Sequence, residues 1–172
     1  PEFAVMIGFA VAGEPVLGVV YQPLRDELYA AVRGHGAHCH SRQGVAALAV
    51  STRERAEEAC AMRSRAHPCA RTDALFAAIG VTHHREMGSM GLKIVEIAAG
   101  RAELYANLSG KPAQWDAAAP LVILHEAGGR VSNAWGEPLR FDADSLYLRE
   151  GLLASNQALH ERLVAACHER MA

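Results

Sequence analysis

The sequence predicts an α+β fold, and three observations carry that prediction. Apolar, β-prone runs separated by tight-turn residues fill roughly the first forty positions. From Ser51 onward the texture changes to short strands alternating with helical stretches that stop at glycine. The composition, 51% hydrophobic and 21% charged over 172 residues, suits a globular domain able to bury a core.

Phe3 to Val11 and Val16 to Tyr21 flank Ala12-Gly13-Glu14-Pro15, the residues of a tight turn, so a hairpin is expected. Pro23 to Asp26 supplies a second turn and Leu28 to Val32 a third strand, ahead of the glycine-bearing segment from Gly34 to His38. Cys60 to Arg63 reads as a short strand. A helix follows from about Thr72 to Ile79, with Thr72 or Asp73 near its N-cap and Gly80 as its stop. Gly91 to Ala99 reads as a helix ending at Gly100, Ala102 to Ala106 as a strand, and Asp116 to Ala127 as a helix closed by Gly128-Gly129. Val131 and Leu152 to Ala154 take further strand positions, and Ala158 to Met171 reads as a closing amphipathic helix.

Composition also excludes function classes. A net charge of -2 and a pI near 6.6 offer no field for gripping a nucleic-acid polymer. No window of membrane-spanning length is free of charges and glycines. Cys39, Cys60, Cys69 and Cys167 have no C-x-x-C spacing and no secretory signal ahead of them, which fits reduced thiols in a cytoplasmic protein. The chain opens on Pro1 and runs straight into a strand, which reads as a cut through a longer protein.

Several segments are suited to chemistry. Pro120 is best tolerated in a helix's first turn, which places Asp116 at a helix N-terminus. There the free N–H groups and the dipole favour an ionised carboxylate, as either an N-cap or a hard-cation ligand, and position alone favours the cap. Gly88-Ser89-Met90-Gly91 precedes a helix, so its N–H groups could converge on a phosphate; a turn that needs glycine is the plainer reading. Lys93, in the first turn of that helix, opposes the dipole and is better placed with an anion beside it. His67 follows a strand directly, with Arg65 nearby, at the kind of strand end where open α/β sheets bind ligands; functional and incidental readings both stay open. His35, His38 and His40 lack a second ligand group, and strand alternation puts Cys39 on the face opposite His38 and His40, which argues against a transition-metal site. His83-His84 and His125 read as ordinary structural or surface histidines.

Together these strings resemble the inositol monophosphatase superfamily. Trp115-Asp116 and Glu126-Ala127-Gly128-Gly129 match its W-D-x-A-A-like and E-A-G-G-like strings in register, and PEFAVMIGFA, GEPVLGVVYQP and GHGA are similar to the strands that follow its D-P-x-D-G-T motif. The resemblance implies a layered α-β-α-β-α sandwich of the sugar-phosphatase type, N-terminally truncated. Residues 1–50 would be the remainder of an N-terminal antiparallel sheet region and residues 51–172 a C-terminal α/β half, together one phosphatase domain fragment. Within the superfamily the chain looks most like the 3'(2'),5'-bisphosphate nucleotidases, including the bacterial members of sulfur assimilation.

That likeness implies roles by position. Ser64 and His67 would face the nucleotide, Ser89 and Lys93 would hold its phosphate-bearing end, and Asp116 would bind Mg2+. Ala66 stands where serine is usual, and Asn107 where inositol phosphatases tend to offer a glutamate to the sugar. The implied activity is magnesium-dependent hydrolysis of adenosine 3',5'-bisphosphate to AMP and phosphate by a metal-activated water. The partner is a small phosphorylated substrate, a nucleotide bisphosphate or sugar phosphate, and a homodimer is left open. Inositol-1-phosphate or sugar-bisphosphate hydrolysis is the sister alternative, and a non-catalytic ligand-binding or assembly module the other. The D-P-x-D-G-T string and the upstream glutamates are absent from these residues. Because a hard cation takes about six oxygen ligands, the isolated chain is expected to be inactive.

Overall fold

The computed structural model describes residues 2–141 and 145–171. Turn chemistry organises its first sheet. Ala12 and Gly13 take positive φ, 50° and 77°, between β1 (Val5–Val11) and β2 (Glu14–Gln22), and Asp26 does so at 53° before β3 (Glu27–Val32). Adding β4 (Ala37–Ser41) and β5 (Gly44–Ala47) completes a five-stranded antiparallel meander in the order β1-β2-β3-β4-β5. The expected hairpin and third strand are present. Glu14 and Pro15, expected in the turn, belong to β2, because a register shift between Phe9 and Ala10 lets Pro15 face Ala10.

The second sheet is mixed, ordered β7-β6-β8-β10-β9. Its strands are β6 (Cys60–Ser64), β7 (His83–Met87), β8 (Leu104–Asn107), β9 (Arg130–Ser132) and β10 (Leu152–Ser155). β6 runs parallel to both β7 and β8, while β10 is antiparallel to β8 and β9. Alternation along these strands divides the interior in two. Met62, Tyr105, Leu152 and Ala154 point toward one core, shared with α2 (Met90–Ala98), α3 (Gln114–Glu126) and the first sheet's Val20 and Tyr29. Ala61, Leu104, Ala106 and Leu153 point toward the other, shared with α1 (Ala70–Ala78) and α4 (His160–Met171). The layers therefore run sheet, helices, sheet, helices, in agreement with the expected layered α+β class. The far face of β1 carries Val5, Ile7, Phe9 and Val11, each 53–61% exposed.

Two helix starts differ from expectation. Cys69, not Thr72 or Asp73, is the N-cap of α1. The Thr72 hydroxyl instead accepts the Leu108 N–H at 3.3 Å, and Asp73 pairs with Arg63, so long-range partners take both side chains. α3 begins at Gln114 after Ala113, which makes no side-chain cap. Asp116 thus sits in the first turn and is not the cap, and Pro120 lies inside the helix and not at its start. Strand β7 was hidden because His83, His84, Arg85 and Glu86 are all exposed and leave no apolar alternation to read.

α3 lies against the first sheet at backbone range. A Cβ built on Gly18 would fall 2.1 Å from the Ala119 carbonyl oxygen, and one on Gly8 3.0 Å from Ala118 Cβ. Only glycine facing alanine allows that approach. Gly18→Val should therefore destabilise the fold by about 3 kcal/mol or more, read as a fall in the urea midpoint, since overpacking against backbone has no flexible atom to yield. Gly8→Ala, with a looser contact, should lose less; equal stability of Gly18→Val and wild type would contradict the close approach.

Candidate active site

Because β6 and β7 are parallel, their C-terminal ends emerge side by side. The segment from Ser64 to Pro68 follows β6, and Gly88 and Ser89 follow β7. Asn107 ends β8, and the segment after it leads into the N-terminus of α3. These pieces converge on one cleft of about 620 Å³. Ser64, His67, Ser89, Lys93 and Asp116, the five residues singled out from sequence, all line it. Tyr105, Ser109 and Lys111 also line it and were not singled out. For Ser109 and Lys111 the only sequence signal was a position beyond a strand end, where loops carry ligands, and Tyr105, inside β8, gave none.

Each residue's local role follows from its partners. The Ser64 hydroxyl accepts the His67 N–H at 3.2 Å and so shapes the loop that presents the imidazole. Ser89 caps α2, its hydroxyl accepting the Leu92 N–H at 3.4 Å. Lys93 is 1% exposed, and its ammonium donates to the carbonyls of Met87, Gly88 and Ser89 at 3.2, 3.0 and 3.0 Å. Those three bonds use its three protons, so Lys93 fixes the Gly88-Ser89 loop and acts on the cleft through its charge. The ammonium also lies 5.1 Å from the Tyr105 ring centroid. Asn107 accepts from the Ser109 N–H at 3.0 Å and the Ser109 hydroxyl at 2.7 Å, which leaves a neutral amide wall where a carboxylate would repel phosphate.

Asp116 is half-buried in the first turn of α3, and among the described residues its carboxylate accepts no hydrogen bond. Burial pushes its pKa up from the ordinary carboxylate range, and the Lys93 charge opposes that rise. A desolvated carboxylate in that state gains from any cation brought beside it. Among the described residues, however, no group of three or more His, Cys, Asp or Glu side chains is arranged to hold a metal ion. The donors present supply one hard oxygen ligand and not a complete shell.

The histidine-rich strand lies elsewhere. His35, His38 and His40 border a separate apolar hollow of about 450 Å³ on the outer face of β2, β3 and β4, beside Leu17, Val19 and Val32. His38 and His40 share a face, as alternation requires.

The chain as a whole is similar to known proteins. The chain matches the model of the inositol monophosphatase family over residues 1–172. It is 31% identical over 171 residues to an inositol-1-monophosphatase of Bacillus subtilis, covering 94% of this chain and 59% of that protein. It is 28% identical over 153 residues to 3'(2'),5'-bisphosphate nucleotidase 1 of Rattus norvegicus, covering 88% of this chain and 50% of that protein. Among solved structures it resembles an inositol monophosphatase from Anabaena, with a TM-score of 0.81 at 27% identity over 98% of this chain and 65% of that one. It also resembles CysQ from Bacteroides thetaiotaomicron, with a TM-score of 0.79 at 28% identity over 91% of this chain and 63% of that one. The chain thus spans 50–65% of the length of these relatives.

Lys93 is a built-in reporter of the cleft's charge. Burial pushes its pKa down to about 8, and the carboxylates of Glu2 and Asp116 hold it up against that. Asp116→Asn removes one of those negative charges and should lower the Lys93 midpoint further, followed by NMR titration of the labelled side chain. An unmoved midpoint would show that the two groups do not share a field.

Proposed function

The chain belongs to the inositol monophosphatase family, and on that premise we propose that the whole protein is a magnesium-dependent phosphomonoesterase acting on a 3'(2'),5'-bisphosphorylated nucleotide, releasing phosphate from adenosine 3',5'-bisphosphate. The observation that carries this reading is the gathering of Ser64, His67, Ser89, Lys93 and Asp116 around one cleft from three separate chain segments. The likeness to a 3'(2'),5'-bisphosphate nucleotidase supports the same substrate class.

The chain's own residues divide the work as follows. Ser64 and His67 form the wall suited to the nucleoside, and the neutral Asn107 replaces an acidic group on the sugar side. Lys93 supplies positive potential from beneath the Gly88-Ser89 loop, and exposed Lys111, also lining the cleft, adds to it. Asp116 offers the hard oxygen ligand. Magnesium, when bound in this family's chemistry, acidifies water and neutralises phosphate charge. Asp116 provides one ligand of the set such an ion requires, and no step of hydrolysis follows from these residues alone.

A second reading has its own support, since an inositol-1-monophosphatase is 31% identical to this chain and the bisphosphate nucleotidase 28%. Turnover of adenosine 3',5'-bisphosphate and of inositol 1-phosphate by the whole protein separates the two. The nucleotide should have the higher kcat/KM; the reverse order would establish the inositol phosphate reading. Asp116→Asn should reduce magnesium-dependent phosphate release by about a hundredfold or more, given that even outer-shell changes lose 10–100-fold at metal sites. Activity within a few-fold of wild type would remove Asp116 from the metal shell, and no turnover of either ester would leave a ligand-binding module.

A further inference from the structure

Glu2 precedes β1 in the first sheet yet reaches the strand ends of the second. Its Oε2 accepts the Gly88 N–H at 2.7 Å, and its Oε1 accepts from the Arg65 guanidinium at 3.0 Å. The Gly88 N–H belongs to the loop offered above to a phosphate, the Arg65 guanidinium has no part in the functional reading, and both are set in place by the backbone around them. The Met87 carbonyl accepts from the Lys93 ammonium at 3.2 Å and from the Arg65 N–H at 3.3 Å. The described peptide bonds are all trans, and a trans peptide points its N–H away from its C=O. Holding the Met87 carbonyl toward Lys93 therefore turns the Gly88 N–H the other way, toward Glu2. The Glu86 carbonyl accepts a further bond from the Arg65 guanidinium at 3.1 Å and fixes it alongside.

An N–H and a guanidinium thus converge on one anion, with a buried ammonium behind them. The anion present is a side-chain carboxylate, which shows that the position attracts negative charge. Glu2 and Arg65 are 24% and 54% exposed, and a pair so open to water is worth at most about 1 kcal/mol. A phosphate brings more charge and more acceptor oxygens to the same donors, so it can displace the carboxylate.

We propose that Gly88 N–H and Arg65 form a second anion subsite, which receives the phosphate of the substrate that is not hydrolysed, and that Glu2 occupies this subsite in the substrate-free protein. Glu2 is then a specificity residue. A substrate with one phosphate leaves it in place, whereas a doubly phosphorylated one displaces it. This rests on the bisphosphate reading above and names the chain's own groups for the second phosphate.

The test uses inorganic phosphate as probe, titrated into the whole protein with a chelator present and followed through the 15N-labelled Gly88 amide. Glu2→Ala should bind phosphate about fivefold more tightly than wild type, the equivalent of about 1 kcal/mol, and the Gly88 amide should move with saturation. Glu2→Gln, which keeps the side-chain volume, should show a smaller gain in the same direction. Adding Arg65→Met to Glu2→Ala should abolish the gain. Equal affinity in wild type and Glu2→Ala, or binding that leaves the Gly88 amide unmoved, would overturn the subsite. The titration needs neither magnesium nor turnover. Failure to hydrolyse the nucleotide bisphosphate therefore sinks only the nucleotidase reading, and failure of the titration sinks only the subsite.

Discussion

The Ala119 carbonyl stands where a side chain on Gly18 would have to be, and the rest of the molecule is arranged around that contact. It lets α3 lie on the first sheet at backbone distance while its other side faces α2 and the second sheet. The two ends of the helix are then determined by one docking event. At its N-terminus Asp116 faces the cleft. At its C-terminus Glu126 accepts the N–H groups of Gly34 and Gly36, both at 2.8 Å, and closes the loop between β3 and β4. The alanines after Trp115 are small for the same reason that Gly8 and Gly18 are glycine: the backbones must meet. The position of the candidate metal ligand is thus a consequence of packing at the middle of its helix.

α2 poses the complementary problem, because it is buried along almost its whole length and carries two charges. Burying an ion is expensive unless every donor or acceptor finds a partner. Lys93 resolves it with three carbonyls of the preceding loop. Glu96, with its side chain 2% exposed, resolves it with Arg25 at 3.0 Å and with Arg85 and Arg101 at 2.7 Å. Arg25 comes from the turn between β2 and β3, and Arg85 from β7, so the Glu96 carboxylate joins the two sheets. One charge of α2 shapes the cleft and the other holds together the sheets that border it. The fold and the site draw on the same helix.

Much of the architecture was legible in the sequence because its signals are local. The meander shows in apolar strands and turn residues a few positions apart, and the helices ending at Gly80, Gly100 and Gly128 announce their stops, each with a positive φ of 67–86°. Where reading failed, a distant partner had taken over. Thr72 looks like a cap until the Leu108 N–H, 36 residues away, uses its hydroxyl. Asp116 looks like a cap because Pro120 marks a helix start in isolation, yet α3 tolerates the proline inside and begins earlier. β7 is a sheet-edge strand whose exposed residues carry no periodicity at all.

The sequence by itself determined most of the strands and helices, the family strings around Trp115-Asp116 and Glu126-Ala127-Gly128-Gly129, and the residue types available for phosphate and metal chemistry. Tertiary structure decided which of those residues meet. The parallel pairing of β6 with β7 sets Ser64 and His67 beside Ser89, and the docking of α3 brings Asp116 to the same cleft. It also assigned the protons of Lys93 to carbonyls and laid the Glu2 carboxylate on an N–H 86 residues away. Short-range propensity is written residue by residue, but a cleft is made of groups far apart in the chain, and only the packed backbone sets the distances between them.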